Sequence, residues 1–179
     1  MKRILLSLII ISLFLPVYAK SEEAGASEGS GSKKSTGYPI KVTIKTVKNR
    51  TMEASVRNHK VIVDQPKDFG ADDLGPTPPE MLVISYGSCI ASTIQFLAYQ
   101  QKINITDIVV NIEGTVDFAK AMGISEKNRA GIPLLTAEIS FKSSLSKEEK
   151  EIFIKKVFEV GAAIDNIVNA TPVKYKIVN

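Results

Sequence analysis

Gly75-Pro76-Thr77-Pro78-Pro79-Glu80-Met81-Leu82-Val83-Ile84-Ser85-Tyr86-Gly87-Ser88-Cys89 is the stretch on which the reading of this chain turns. It opens as a proline-rich turn and continues as a long apolar helix. Thr77 fits the N-cap, Pro78 the first helical position and Glu80 the third. That is a capping box with proline where a helix tolerates it. The helical pattern runs to Gln101, where Lys102 and a β-branched run change the period. Met81, Leu82, Ile84, Ile90, Ile94, Phe96, Leu97 and Ala98 leave this helix little polar surface. A helix apolar on most sides is expected to be buried on most sides. Ser85, Gly87, Ser88, Cys89, Ala91 and Ser92 form a run of small residues, which lets either a second helix or a ligand come close. Cys89 is the only cysteine in the chain.

Upstream, Met1-Lys2-Arg3 is a short basic segment, followed by an apolar run over residues 4–15 that is too short to span a bilayer. Pro16 ends the run, and Val17-Tyr18-Ala19 has the small residues of a cleavage site. Residues 1–19 therefore read as a secretory signal peptide, with an uncleaved membrane anchor as the alternative, and the mature chain is expected in the periplasm or cell envelope. No cysteine follows the apolar run, so lipid attachment there is not expected. Residues 20–37, rich in Ser, Gly, Glu and Lys, read as a disordered linker. Residues 38–179 make one domain. Lys2 and Arg3 supply half of the formal net charge of +4. With no basic run interleaved with aromatics, nucleic acid is not an expected partner.

Within the domain, residues 40–45 and 52–57 alternate apolar and polar, as half-buried strands do, with Asn49-Arg50 as the turn between them. Asn58-His59 is the next expected turn, and residues 60–63 a third strand, completing an antiparallel meander. Residues 66–79 form a loop long enough to serve function. After the central helix come a strand over 105–116, a loop, and a strand over 134–141. Ser146-Lys147-Glu148-Glu149 is a second capping box, opening a helix with the apolar stripe Phe153, Val157, Val160, Ile164 and Val168. Residues 173–178 read as a last strand. The predicted class is α+β, in the order β-β-β-α-β-β-α-β, with antiparallel sheets packed on a buried central helix. One chain of this size has too little surface to bury that helix, so a homodimer is expected.

The chemistry is narrowed by what the chain lacks. His59 and Cys89 are single and far apart, and no metal-ligand spacing or phosphate-binding glycine motif is present. Neither a metal nor another cofactor is expected. His59 at a turn is a poor base for a serine nucleophile. What remains is thiol chemistry at Cys89, which needs a cation, a helix N-terminus or hydrogen-bond donors to hold a thiolate. Cys89 lies about three turns into its helix, too far for that helix's own dipole. Arg50 and Arg57, at the two meander turns, are the candidate cations, with Arg129 a third. On spacing alone, Cys89 is either such a reactive thiol or a buried inert one.

The chain from His59 to Tyr99 resembles the OsmC-like family, which includes the organic hydroperoxide resistance proteins. The residues that carry the resemblance are Asp64-Gln65-Pro66, Gly70 through Asp73, Gly75-Pro76-Thr77-Pro78-Pro79-Glu80-Met81-Leu82 and Gly87-Ser88-Cys89. The resemblance implies an intertwined homodimer with sites at the subunit interface and thiol-dependent reduction of organic hydroperoxides. It implies that Cys89 is the peroxidatic cysteine, held by an Arg that is held in turn by a Glu, to which Glu80 is the nearest match. In the hydroperoxide-resistance branch that Glu stands one residue earlier, where this chain has Pro79. Nine residues separate Glu80 from Cys89, about two and a half turns, so in one straight helix they face opposite ways. The family's second, resolving cysteine stands in a Cys-Pro-Val run. Here the run is Thr171-Pro172-Val173, so an internal disulfide cycle is ruled out and turnover needs an external thiol. The alternative is a non-catalytic OsmC-like dimer that binds a small apolar ligand or senses oxidant.

Overall fold

The structure is a computed structural model, and it describes residues 36–178. The expected signal peptide at 1–19, and the expected linker at 20–37 apart from its last two residues, lie outside the described residues. The elements run β1 (Thr43–Lys48), β2 (Thr51–Val56), β3 (His59–Val63), a 3-10 turn at Lys67–Phe69, α1 (Pro78–Gln101), β4 (Ile105–Gly114), β5 (Leu135–Ser143), α2 (Lys147–Val160) and α3 (Ala162–Val168). They form two antiparallel sheets, β1-β2-β3 and β4-β5.

Local chemistry sets the element ends. The Thr77 hydroxyl accepts from the Glu80 amide at 3.3 Å, and Glu80 Oε2 accepts from the Thr77 amide at 2.7 Å. Ser146 and Glu149 repeat this reciprocal cap at the start of α2. Lys102 closes α1 in the left-handed conformation, its amide donating to the Ala98 and Tyr99 carbonyls. The second meander turn falls at Arg57-Asn58 and not at Asn58-His59. Arg57 takes the left-handed conformation at φ 54°, and His59 already pairs with Val56.

The core forms where one stripe of α1 meets β4–β5 and the last helices. Tyr86, Ile90, Ile94, Leu97 and Ala98 are buried together with Phe153, Val157 and Ile164. By length and composition α1 could also cross a bilayer, but this stripe is enclosed by the protein itself. The expectation that α1 is buried on most sides does not hold within one chain. Leu82, Ile84, Phe96 and Tyr99 stay open, Phe96 at 56% and Tyr99 at 85% exposure. Residues 40–45 are likewise exposed rather than half-buried, because among the described residues nothing covers either face of β1.

The C-terminal reading needs two corrections. The single long helix expected after Ser146 is two helices, broken at Gly161, whose extended backbone (φ −73°, ψ 119°) interrupts the turn. The last strand expected over 173–178 does not form. The segment is extended, but among the described residues no strand pairs with it, and Val173, Tyr175 and Ile177 are exposed. A strand needs a neighbour to satisfy its backbone groups, and the described residues offer this segment none.

The loop between β3 and α1 is clipped at its ends. The Asp64 amide donates to the Pro76 carbonyl and the Asp73 amide to the Gln65 carbonyl, both at 3.2 Å. Asp64 is fully buried, and its Oδ2 accepts from the Leu74 amide at 3.0 Å. That bond, first among several, holds the Asp64 carboxyl below its usual range. Burial opposes it, and the Gln65 amide, the Thr51 hydroxyl and the Asp72 amide reinforce it. Gly75 lies so close to β3 that a side chain there would run into the Ile62 carbonyl oxygen.

Ile94 is fully buried at the centre of the core. Ile94→Ala leaves a cavity in this core and should cost about 2–5 kcal/mol of unfolding free energy in a denaturant titration.

Candidate active site around Cys89

Cys89 sits on α1, half-buried, at the edge between the core stripe and the open face. It is brought against the break between α2 and α3. The Ala163 amide, in the first turn of α3, donates to the Cys89 Sγ at 3.3 Å. Thr93, one turn further along α1, places its hydroxyl 3.9 Å from the same sulfur, where either group can donate. The sulfur thus meets a backbone donor and a hydroxyl where Cys89 packs against the apolar core.

The break makes this contact. A continuous helix through residue 161 would donate its amides along its own axis to carbonyls four residues back. At Gly161 that ladder stops, and the amides of the following turn are freed for other acceptors. Glycine is needed there for space as well. A Cβ on Gly161 would lie 2.5 Å from Ile164 Cδ1 and 3.3 Å from Cys89 Sγ. Ile164 is itself buried, so it has little room to yield.

The other sequence candidates are placed elsewhere. Arg50 and Arg57 are exposed at the ends of β1 and β2, and Arg129 is exposed in the loop before β5. Among the described residues, none of the three guanidinium groups makes an ion pair or hydrogen bond to Cys89 or Glu80. Glu80 caps α1. Its Oε2 accepts from the Thr77 amide and, at 2.9 Å, from the Thr77 hydroxyl. The Thr77 amide and then its hydroxyl hold the Glu80 carboxyl below its usual range. With α1 unbroken from Pro78 to Gln101, Glu80 and Cys89 point to opposite sides of one helix.

Glu80 instead borders an open groove of about 680 Å³ between the start of α1, the 73–76 loop and β4. Leu74, Pro76, Val83, Ile84, Ile112 and Ile132 give it apolar walls, and Asp73 and Glu80 are its acids. A smaller groove of about 410 Å³ continues along the α1–β4 seam past Gly87, Ser88 and Ala91.

Three contributors to the Cys89 surroundings escaped the sequence reading: Ala163, Gly161 and Thr93. Thr93 stands four residues after Cys89 and so shares its helix face. Gly161 is a glycine inside an otherwise helical stripe, a mark of a break or a close approach. Nothing in the sequence reports that the Ala163 amide is turned toward residue 89.

Against this geometry, the sequence profile described as "OsmC-like protein" matches residues 70–176. The chain belongs to the OsmC-like family. No curated protein matches the chain. Among solved structures, an OsmC-like protein of Mycoplasma pneumoniae gives a TM-score of 0.65 at 18% identity, over 74% of this chain and 89% of its own. An organic hydroperoxide resistance protein of Legionella pneumophila gives 0.53 at 19% identity, over 73% and 89%. Another, from Elizabethkingia anophelis with thiocyanate bound, gives 0.54 at 20% identity, over 75% and 91%. At these identities the likeness is one of fold: the OsmC-like α+β arrangement of antiparallel sheets and a long helix.

Gly161→Ala tests the packing of the break. It should cost about 1–3 kcal/mol of stability by overpacking. It should also change the rate at which Cys89 reacts with a chromogenic disulfide in the folded state. An unchanged rate would mean that the sulfur does not depend on the break.

Proposed function

We propose that this OsmC-like chain is an exported, one-cysteine thiol peroxidase of the cell envelope that reduces organic hydroperoxides at Cys89. The observation that carries the reading is the Ala163 amide directed at the Cys89 sulfur. A donor fixed in that position can hydrogen-bond the sulfur and an oxygen bound to it. Family membership and the names of the Legionella and Elizabethkingia structures point the same way.

The reaction divides into three steps. The Cys89 thiolate attacks the outer oxygen of ROOH. The O–O bond breaks, and the departing alkoxide takes a proton to leave as ROH. Sulfur, oxidised by two electrons, becomes a sulfenic acid. An external thiol then attacks that sulfur, releasing water and forming a mixed disulfide. A second thiol frees Cys89 and leaves as the external disulfide. Thr171 takes no part, since it has no sulfur and its hydroxyl is bonded to Asn166 Oδ1 on α3.

The working unit in this reading is a homodimer. Leu82, Ile84, Phe96 and Tyr99 give α1 an open apolar side, and β1 and residues 173–178 are uncovered strands or strand-like segments. A second copy would cover these surfaces and bring a partner's Glu80, and one of its exposed arginines, toward the face that carries Cys89. The export assignment rests on the sequence of residues 1–19.

A second reading is supported by the apolar groove beside Glu80: a dimer that binds a small apolar ligand or senses oxidant without turnover. One titration separates the two. Reduced protein lacking residues 1–19 is mixed with excess cumene hydroperoxide and its thiols are counted. Loss of one thiol per chain within minutes, recovered by added dithiothreitol and absent in Cys89→Ser, is the expected result. A thiol that survives the excess would sink the peroxidase reading. Sedimentation should give twice the chain mass, and Phe96→Glu should halve it by placing a charge on the open side of α1.

A further inference from the structure

Asp64 is the buried charged group that the chemistry at Cys89 does not use. It stands where β3 ends, and the loop it begins returns to it twelve residues later. Its amide holds the Pro76 carbonyl and its Oδ2 holds the Leu74 amide. Pro76 directly precedes Thr77, the residue that caps α1 and orients Glu80. Asp73, Leu74, Gly75 and Pro76, the residues gathered by these bonds, form one wall of the groove that Glu80 borders.

The carboxylate is held through one oxygen. Asp64 Oδ2 accepts from the Leu74 amide, and the Gln65 and Asp72 amides and the Thr51 hydroxyl add to its preference for the ionised form. An ionised carboxylate only accepts, and Asp64→Asn removes the charge that strengthens its bond to the Leu74 amide. Asp64 Oδ1 and Thr51 Oγ1 are both buried without a bond of ordinary length and angle among the described residues.

We propose that Asp64 is a positioning residue for the site: its side chain and amide together fix the 64–76 loop, and through Pro76 and Thr77 they set the groove wall and the orientation of Glu80. It touches neither the sulfur nor a bound peroxide. The assignment rests on the peroxide-reducing reading above, in which a second copy brings this Glu80 toward its own Cys89.

Two measurements test it on full-length mature protein. The first is amide hydrogen exchange, compared between wild type, Asp64→Asn and Thr51→Val, the last removing a buried hydroxyl that bears on Asp64 without opening a cavity. Exchange at Leu74 and Thr77 should accelerate strongly in Asp64→Asn and less in Thr51→Val, while amides of the α1 core stripe stay protected. The second compares two reactions of Cys89. Oxidation by cumene hydroperoxide should slow at least about tenfold in Asp64→Asn, while alkylation by iodoacetamide, which needs no groove, should change less than about twofold. Thr51→Val should shift the same ratio in the same direction by a smaller factor.

Equal slowing of both reactions would mean that Asp64 acts only on general stability, and would overturn the assignment. So would unchanged exchange at Leu74 and Thr77. If wild-type Cys89 is itself not oxidised, the peroxidase reading fails, and the assignment for the reaction fails with it. If the wild type is oxidised and Asp64→Asn matches it, only the positioning role fails.

Discussion

A helix of 24 residues with apolar side chains on nearly all sides has to be covered, and one chain of this length covers a single stripe of it. That constraint orders the fold. β4 and β5 pack on α1 with α2 and α3 beside them, and the buried residues fall at the spacing of one helical face: Tyr86, Ile90, Ile94 and Leu97. The meander β1-β2-β3 stands outside that core, tied to the start of α1 through the clipped loop. Each apolar side chain left open on the far side costs the free energy of keeping hydrocarbon in water, on the order of 25 cal/mol per Å². A second copy, as in the proposed dimer, would remove this cost without adding chain.

Cys89 lies on the border between the covered and the uncovered side of α1. From the covered side it receives a backbone amide. The partner expected on the uncovered side would bring the charged groups. In the proposed dimer, this division would account for the described residues bringing no arginine and no carboxylate to the sulfur, although the resemblance implies both. It would also account for the opposed directions of Glu80 and Cys89 on one helix. In a two-fold assembly, a residue on the far face of one copy can serve the near face of the other.

Much of the fold was legible because its signals are local. Thr77 with Glu80 and Ser146 with Glu149 announce both capping boxes within four residues, and the structure has both. The alternation over 52–57 and over 134–141 likewise lies in or beside strands that form. What was missed depends on distance along the chain or on a second chain. The Ala163 amide reaches a sulfur 74 residues away, and no periodicity encodes that. The break at Gly161 was hidden because the apolar stripe carries on through it with helical spacing. Residues 173–178 have a strand's pattern, but whether a strand forms depends on a neighbour that the chain itself does not supply. Of the site, Cys89 and the Glu80 cap were legible, and the group that touches the sulfur was not.

The uncovered β1 has a bearing on the life of the newly made chain. An unpaired strand edge with Ile44 and Val47 exposed is a template for joining any other extended segment, and residues 173–178 offer such a segment in the same molecule. Lys41, Lys45 and Lys48 in and before the first strand, and Lys174 and Lys176 in the last segment, put like charges along both. Indiscriminate stacking of these edges would bring those charges together, whereas a specific twofold pairing can space them. In the proposed dimer the lysines would thus act as gatekeepers, disfavouring open-ended stacking of these edges relative to a closed twofold pairing.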